Sequence, residues 1–95
     1  MLMTTAAVYR PGALKPVPWT TGNLEGYRYE ALVQPAPTPN GIEGGNITDL
    51  RIYDPDGNVI ASFYGNWWNI KPYKDKDYKV YAIVKTQLEL NAANR

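Results

Sequence analysis

The chain has 95 residues, 10 Lys and Arg against 9 Asp and Glu, and neither cysteine nor histidine. That length allows one domain with a single small core, and the missing residue types exclude thiolate nucleophiles, disulfides, imidazole bases and the usual zinc or copper sites. A formal charge of +1 speaks against both a strongly basic nucleic-acid coat and an acidic decoy.

Residues 1–18 read as a Pro-rich N-terminal arm. Pro11, Pro16 and Pro18 fix their own φ and push the preceding residues toward extended geometry, so no helix survives there. The apolar run Ala6-Ala7-Val8 is broken at once by Tyr9-Arg10-Pro11, which is not a secretory signal. No stretch approaches the roughly 20 apolar residues that span a bilayer, so no membrane is expected and the default address is cytoplasmic. Trp19 closes the arm as an anchor.

Residues 19–72 carry the expected sheet. Thr20-Thr21 forms a short partner strand, followed by turn residues at Gly22-Asn23 and Gly26. Tyr27 to Val33 alternates Tyr27, Tyr29, Ala31 and Val33 on one face with Arg28, Glu30 and Leu32 on the other, the period of a half-buried strand. From Gln34 to Gly45, Pro35, Pro37 and Pro39 alternate with small residues as a polyproline-like loop, and a loop of that length is often functional.

The central element is a β-hairpin from Asn46 to Tyr64. Asp54-Pro55-Asp56-Gly57 has the chemistry of a type I turn followed by a G1 bulge: Asp opens it, Pro takes the second position, and Gly sits where φ turns positive. If Asp54 pairs with Asn58, Ile52 faces Ile60 and Leu50 faces Ser62. The other face then carries Arg51, Tyr53, Val59, Ala61 and Phe63. Both faces are partly apolar, so one is expected to meet the chain's own helix and the other a partner.

The chain turns a corner at Trp67-Trp68-Asn69-Ile70, and residues 73–91 form a C-terminal helix. On a helical wheel Val80, Tyr81, Ile83, Val84, Leu88 and Leu90 fill the apolar half, while Asp75 and Asp77 suit the positive end of the dipole. The alternation Val80, Ala82, Val84, Thr86, Leu88 also fits a strand; length favours the helix. The expected fold is therefore α+β, a small antiparallel sheet of three to four strands with a central hairpin, packed on a C-terminal α-helix.

The middle of the chain resembles an uncharacterised family of small bacterial and phage-encoded proteins from Gram-positive sources. The residues that carry the resemblance are Gly26-Tyr27-Arg28-Tyr29-Glu30-Ala31, Gly41-Ile42-Glu43-Gly44-Gly45-Asn46-Ile47, Leu50-Arg51-Ile52, Gly57, Ile60-Ala61-Ser62-Phe63-Tyr64 and Trp68-Asn69-Ile70-Lys71-Pro72. This chain departs from the family pattern at Asn69, where an acidic residue is usual, and in having the Pro-rich arm. The resemblance implies a small sheet followed by a helix in a mobile-element setting, and no catalytic residue.

Several motifs yield to plainer explanations. Asp54 to Asn58 is not a calcium loop, because its glycine comes too early and the twelfth position would be Gly65 rather than Glu. Gly41 to Gly45 leads into a strand, not a helix N-terminus, and bears Glu43 where a phosphate loop has Lys. Lys71, Lys74, Lys76, Lys79 and Lys85 with Tyr73, Tyr78 and Tyr81 suggest a basic aromatic strip for single-stranded nucleic acid, but Asp75 and Asp77 offset its charge. The sole serine, Ser62, sits inside a strand without a base, so no enzyme, no cofactor and no metal are expected.

Three Trp, eight Tyr and one Phe make 13% of the chain aromatic, a composition suited to half-buried contact surfaces. Adjacent residues of a strand point to opposite faces, so one of Trp67 and Trp68 belongs to the core and the other outside. The expected binding residues are Arg28, Arg51, Tyr53, Phe63, Trp67, Trp68, Lys71 and Tyr73, together with the loop from Pro35 to Gly45. The leading expectation is a non-enzymatic binding protein of phage or mobile-element type, acting in the host cytoplasm by occupying the surface of a host protein, for example a defence component. The alternatives are a sponge that stacks a small nucleotide or nucleic acid on the aromatics with Arg28, Arg51 or Lys71 on phosphate, and a structural homo-oligomer, such as a homodimer, that buries the second sheet face against a copy of itself.

Overall fold

The structure, a computed structural model, describes residues 17–94; nearly all of the Pro-rich arm expected over residues 1–18 lies outside the described residues. Among the described residues five strands follow one another, β1 (Trp19–Leu24), β2 (Tyr27–Val33), β3 (Ile47–Tyr53), β4 (Val59–Tyr64) and β5 (Trp67–Ile70). A 3-10 turn (Ile42–Gly44) precedes β3, and α1 (Asp75–Ala93) ends the fold. The strands form one antiparallel meander in chain order, so the α+β class holds with five strands rather than three to four.

The differences from expectation lie at the first and last strands of the described sheet. Thr20-Thr21 belongs to a full six-residue strand whose register sets Trp19 opposite Leu32 and Leu24 opposite Tyr27. The Trp67 corner is itself a four-residue strand. Both edge hairpins turn through two residues of positive φ, Glu25-Gly26 (52° and 84°) and Gly65-Asn66 (65° and 66°). That is the geometry whose twist matches the flanking strands.

The central turn has the expected bonds: the Gly57 N–H donates to the Asp54 carbonyl at 2.9 Å, and the Asp54 N–H to the Asn58 carbonyl at 2.8 Å. Beyond it the register differs from expectation. Tyr53 pairs with Val59 but Ile52 pairs with Ala61, leaving Ile60 as an extra residue in β4. A bulge of this kind moves every later side chain to the other face. Leu50 therefore faces Phe63 instead of Ser62, and Phe63 and Ala61 join Leu50 and Ile52 in the core.

α1 covers that face, lying against β2 and β3. Val80, Tyr81, Val84, Leu88 and Ala92 point inward onto Tyr27, Ala31, Val33, Ile47, Ile52 and Phe63, all buried. Ile83 and Leu90, placed on the core side by the wheel, are instead exposed, at 44% and 57%. The Tyr27 hydroxyl donates to Asp77 at 2.7 Å and ties the first turn of the helix to β2. That hydrogen bond, with burial, pushes the phenol up to about 12.

The Pro-rich loop between β2 and β3 is held at both ends. The Gln34 N–H donates to the Asn46 carbonyl at 2.7 Å, and the Asn46 amide returns a bond to the Gln34 carbonyl at 2.9 Å. Ile42 plugs into the core. Lys85 reaches from α1 to Glu43 at 3.6 Å and to Glu89 at 3.0 Å. Burial opposes the charge on Lys85, but the hydrogen bond and charge of Glu89, joined by Glu43, leave its pKa raised overall. A Cβ on Gly41 would collide with the Gly45 carbonyl, so the turn closes only with glycine there.

Candidate aromatic binding surface

The side of the sheet away from α1 is built by alternation. Trp19 on β1, Arg28 and Glu30 on β2, Arg51 and Tyr53 on β3, Tyr64 on β4 and Trp67 on β5 share it, because their strand partners lie in register. Its most exposed feature is the tip of the β4–β5 hairpin. Tyr64 pairs directly with Trp67 across the Gly65-Asn66 turn, and the two are exposed at 52% and 70%. Cross-strand partners stand close together on one face, so these rings form one apolar prow carried on a tight turn.

Behind the prow lies a hollow of about 250 Å³ whose walls include Trp19, Asp49, Arg51, Ser62 and Tyr64. Arg51, one of its walls, is held from outside the hollow by neighbours on the same face. Arg51 donates to Glu30 at 3.2 Å and to the Tyr53 hydroxyl at 3.4 Å, and that hydroxyl donates to Glu30 at 3.3 Å. The Tyr53 hydroxyl and, after the cost of burial, the charges of Glu30 and Asp49 hold the Arg51 guanidinium above its ordinary pKa. Arg28 lies 4.1 Å over the Tyr53 ring, an arrangement that orders a long side chain by cation–π attraction. The result is a stiff, internally neutralised patch beside an open aromatic edge.

The expected site residues separate into three groups. Trp67, Arg51, Tyr53 and Arg28 share the second face. Phe63 and Trp68 do not belong to it: Phe63 is buried by the bulge at Ile60, and Trp68 points to the helix side opposite Phe63. Trp68 meets Phe63 edge-on at 5.2 Å and Tyr81 at 5.4 Å, and Tyr81 continues to Tyr78 at 5.7 Å. These rings form a ladder from sheet to helix, and burial raises the Tyr81 phenol well above its ordinary value.

Lys71 and Tyr73 form the third group. Both are exposed, Tyr73 at 82%, but Tyr73 lines a hollow with Asn58 and Val59 at the opposite end of β4 from Tyr64. Five residues of strand separate those ends by about 17 Å. Of the basic aromatic strip, Tyr81 is buried and Lys85 is held by Glu43 and Glu89, while Lys71, Tyr73, Lys74, Lys76, Tyr78 and Lys79 are exposed. Trp19 and Tyr64 join the surface without having been among the expected binding residues. The signal for Tyr64 was present in the sequence, since it directly precedes the turn pair Gly65-Asn66 and so pairs with Trp67.

Among the described residues no three His, Cys, Asp or Glu side chains come together as a metal site, and no helix is long and apolar enough to cross a membrane. A model of a domain of unknown function, DUF7678, matches residues 18–89. The chain belongs to the DUF7678 family. No curated protein and no solved structure matches it. The DUF7678 match begins one residue before β1 and ends within the last turns of α1. The family thus spans both the sheet that carries the aromatic surface and the helix that backs it.

Proposed function

We propose that this DUF7678 domain is a non-enzymatic binding protein that docks on another protein through the β4–β5 aromatic prow. The observation that carries this proposal is Trp67, 70% exposed on a two-residue turn, with Tyr64 beside it. Large rings held on a short hairpin lose little conformational freedom on binding, and Trp and Tyr dominate interface hot spots. Arg28 and Tyr53 extend the same face as a polar rim. Steric occupation of a host protein, in a phage or mobile-element setting, is the narrower use added by the sequence resemblance alone.

The nucleotide sponge is the weaker alternative, because Arg51 already spends its guanidinium on Glu30 and Tyr53. A phosphate on Arg51 would have to compete with that carboxylate, and would face Asp49 in the same hollow. Two measurements separate these functions. Native mass spectrometry of the chain purified from cells is expected to show the bare protein; a retained nucleotide-sized mass refutes the protein-docking proposal in favour of the sponge. Affinity capture from the natural host is expected to yield a partner that is lost with Trp67→Ala and retained with Tyr73→Ala. Equal capture by both variants places the contact elsewhere.

A further inference from the structure

The side of the sheet away from α1 is buried in places where none of the described elements lies over it. Alternation along β2 turns Tyr27 and Ala31 toward α1 and Leu32 to the opposite side. Leu32 is nonetheless only 2% exposed, and among the described residues it is the one buried apolar side chain that does not join the core cluster. Its partners in register are Trp19 on β1 and Asp49 on β3, and Asp49 is buried as well. Ser62, the partner of Arg51 on the same side, is also buried. Strand neighbours stand beside a side chain rather than over it. α1 lies on the other side of the sheet, and the loop between β2 and β3 joins it there through Ile42 and the Glu43–Lys85 pair.

The cover belongs to the same chain, because Leu32, Asp49 and Ser62 are buried within a single copy. Outside the described residues lie residues 1–16 and Arg95, a single residue beyond α1. Residues 1–16 join the sheet through Val17 and Pro18 at Trp19, the residue opposite Leu32. Asp49 is two strand spacings from Trp19, about 10 Å, and sixteen residues reach more than about 50 Å when extended. The composition of the segment matches the row it would cover. Leu2, Val8, Tyr9 and Leu14 are suited to an apolar roof over Leu32, and the charged side chains of residues 1–16 are Arg10 and Lys15, with no acid among them. Asp49 sets a carboxylate in the same row, and a charge taken out of water is stabilised by an opposite one.

We infer that residues 1–16 fold back over the outer side of the sheet as a strap that covers Leu32, Asp49 and Ser62, with Arg10 or Lys15 facing the Asp49 carboxylate. The strap stops short of the prow, since Tyr64 and Trp67 are exposed in the same single chain. It closes the middle of the face and leaves the β4–β5 edge open, so a docking partner meets the prow rather than the sheet centre. The strap itself does not depend on the function proposed above.

Because the chain has no cysteine, a nitroxide attached to Gly12→Cys reports the position of the segment in the full-length protein. It is expected to broaden the backbone amide signals of Leu32, Asp49 and Ser62 and to leave those of Ile83 and Leu90, on the exposed side of α1, sharp. The pattern should persist when the spin-labelled chain is diluted into unlabelled, isotopically silent protein. Broadening that vanishes on dilution assigns the cover to a second copy, and absence of broadening at Leu32, Asp49 and Ser62 removes the strap; either result overturns the inference. A second measurement tests the charge pairing. The thiol of Ser62→Cys should react slowly with a small thiol reagent, and about tenfold or more faster once Arg10→Glu and Lys15→Glu are added, with the circular dichroism spectrum unchanged. Equal rates in the two backgrounds refute the pairing with Asp49.

Discussion

Replacing Trp67 and Trp68 one at a time is the sharpest test of how the sheet divides its aromatic residues. Trp68 packs edge-on against Phe63 at 5.2 Å and Tyr81 at 5.4 Å. Each such pair contributes about 0.5–1.5 kcal/mol beyond simple burial. Truncating a core Trp to Ala costs about 3–5 kcal/mol, and partial exposure of Trp68 puts it near the lower limit, about 3 kcal/mol. For a domain of this size about 4–8 °C of melting temperature accompanies each kcal/mol. Trp68→Ala should thus lower the midpoint by roughly 12–24 °C on that scale. Trp67→Ala, on an exposed ring, should stay within about 0.5 kcal/mol of wild type. Urea and thermal unfolding followed by far-ultraviolet circular dichroism give both numbers. Equal losses for the two variants would refute the assignment of one ring to the core and one to the binding surface.

Two further perturbations test the electrostatics of the loop and the turn. Lys85→Ala removes the bonds to Glu43 and Glu89, and should destabilise by more than the about 0.3–0.5 kcal/mol of an exposed helix pair, measured by urea denaturation. Because the folded state raises the pKa of Lys85, its contribution is full below the ordinary value of 10.5 and fades as pH rises through the folded value. Wild type should converge on Lys85→Ala in that alkaline range. Asp54 accepts bonds from the Asn58 and Asp56 N–H groups, both at 2.9 Å. The bonds from Asn58 foremost hold its carboxyl below the ordinary 3.8. Its contribution is full above that value and lost as pH falls through the folded one, so Asp54→Ala should matter at neutral pH and not in strong acid.

Much of the architecture was legible because local chemistry and tertiary packing agree. The Asp-Pro-Asp-Gly turn, the alternation of β2 and the length of α1 need nothing beyond their own residues. The bulge at Ile60 does not announce itself. Val59, Ile60 and Ala61 are all apolar, so inserting one residue leaves the pattern intact while exchanging the faces, and Phe63 moved from the expected binding surface into the core. The edge strands were hidden for a different reason. Gly22-Asn23, expected as turn residues, lie inside the strand Trp19–Leu24, and Trp67–Ile70 is only four residues long; both exist as strands through pairing with β2 and β4. The helical wheel misplaced Ile83 and Leu90 because these two apolar residues sit among Thr86, Gln87 and Asn91 on the exposed side of α1, and a wheel alone does not say which side meets the sheet.

The order of the strands also bears on how the chain acquires its shape. Every strand in the sheet hydrogen-bonds to the one made just before it, so pairing spans short stretches of chain and needs little loop closure. As synthesis delivers the hairpins one after another, each finds its neighbour already present. The helix arrives last. Until then Ala31, Leu50, Ile52 and Phe63 face water on a half-finished platform, so a nascent chain halted before Asp75 is the species most prone to clump.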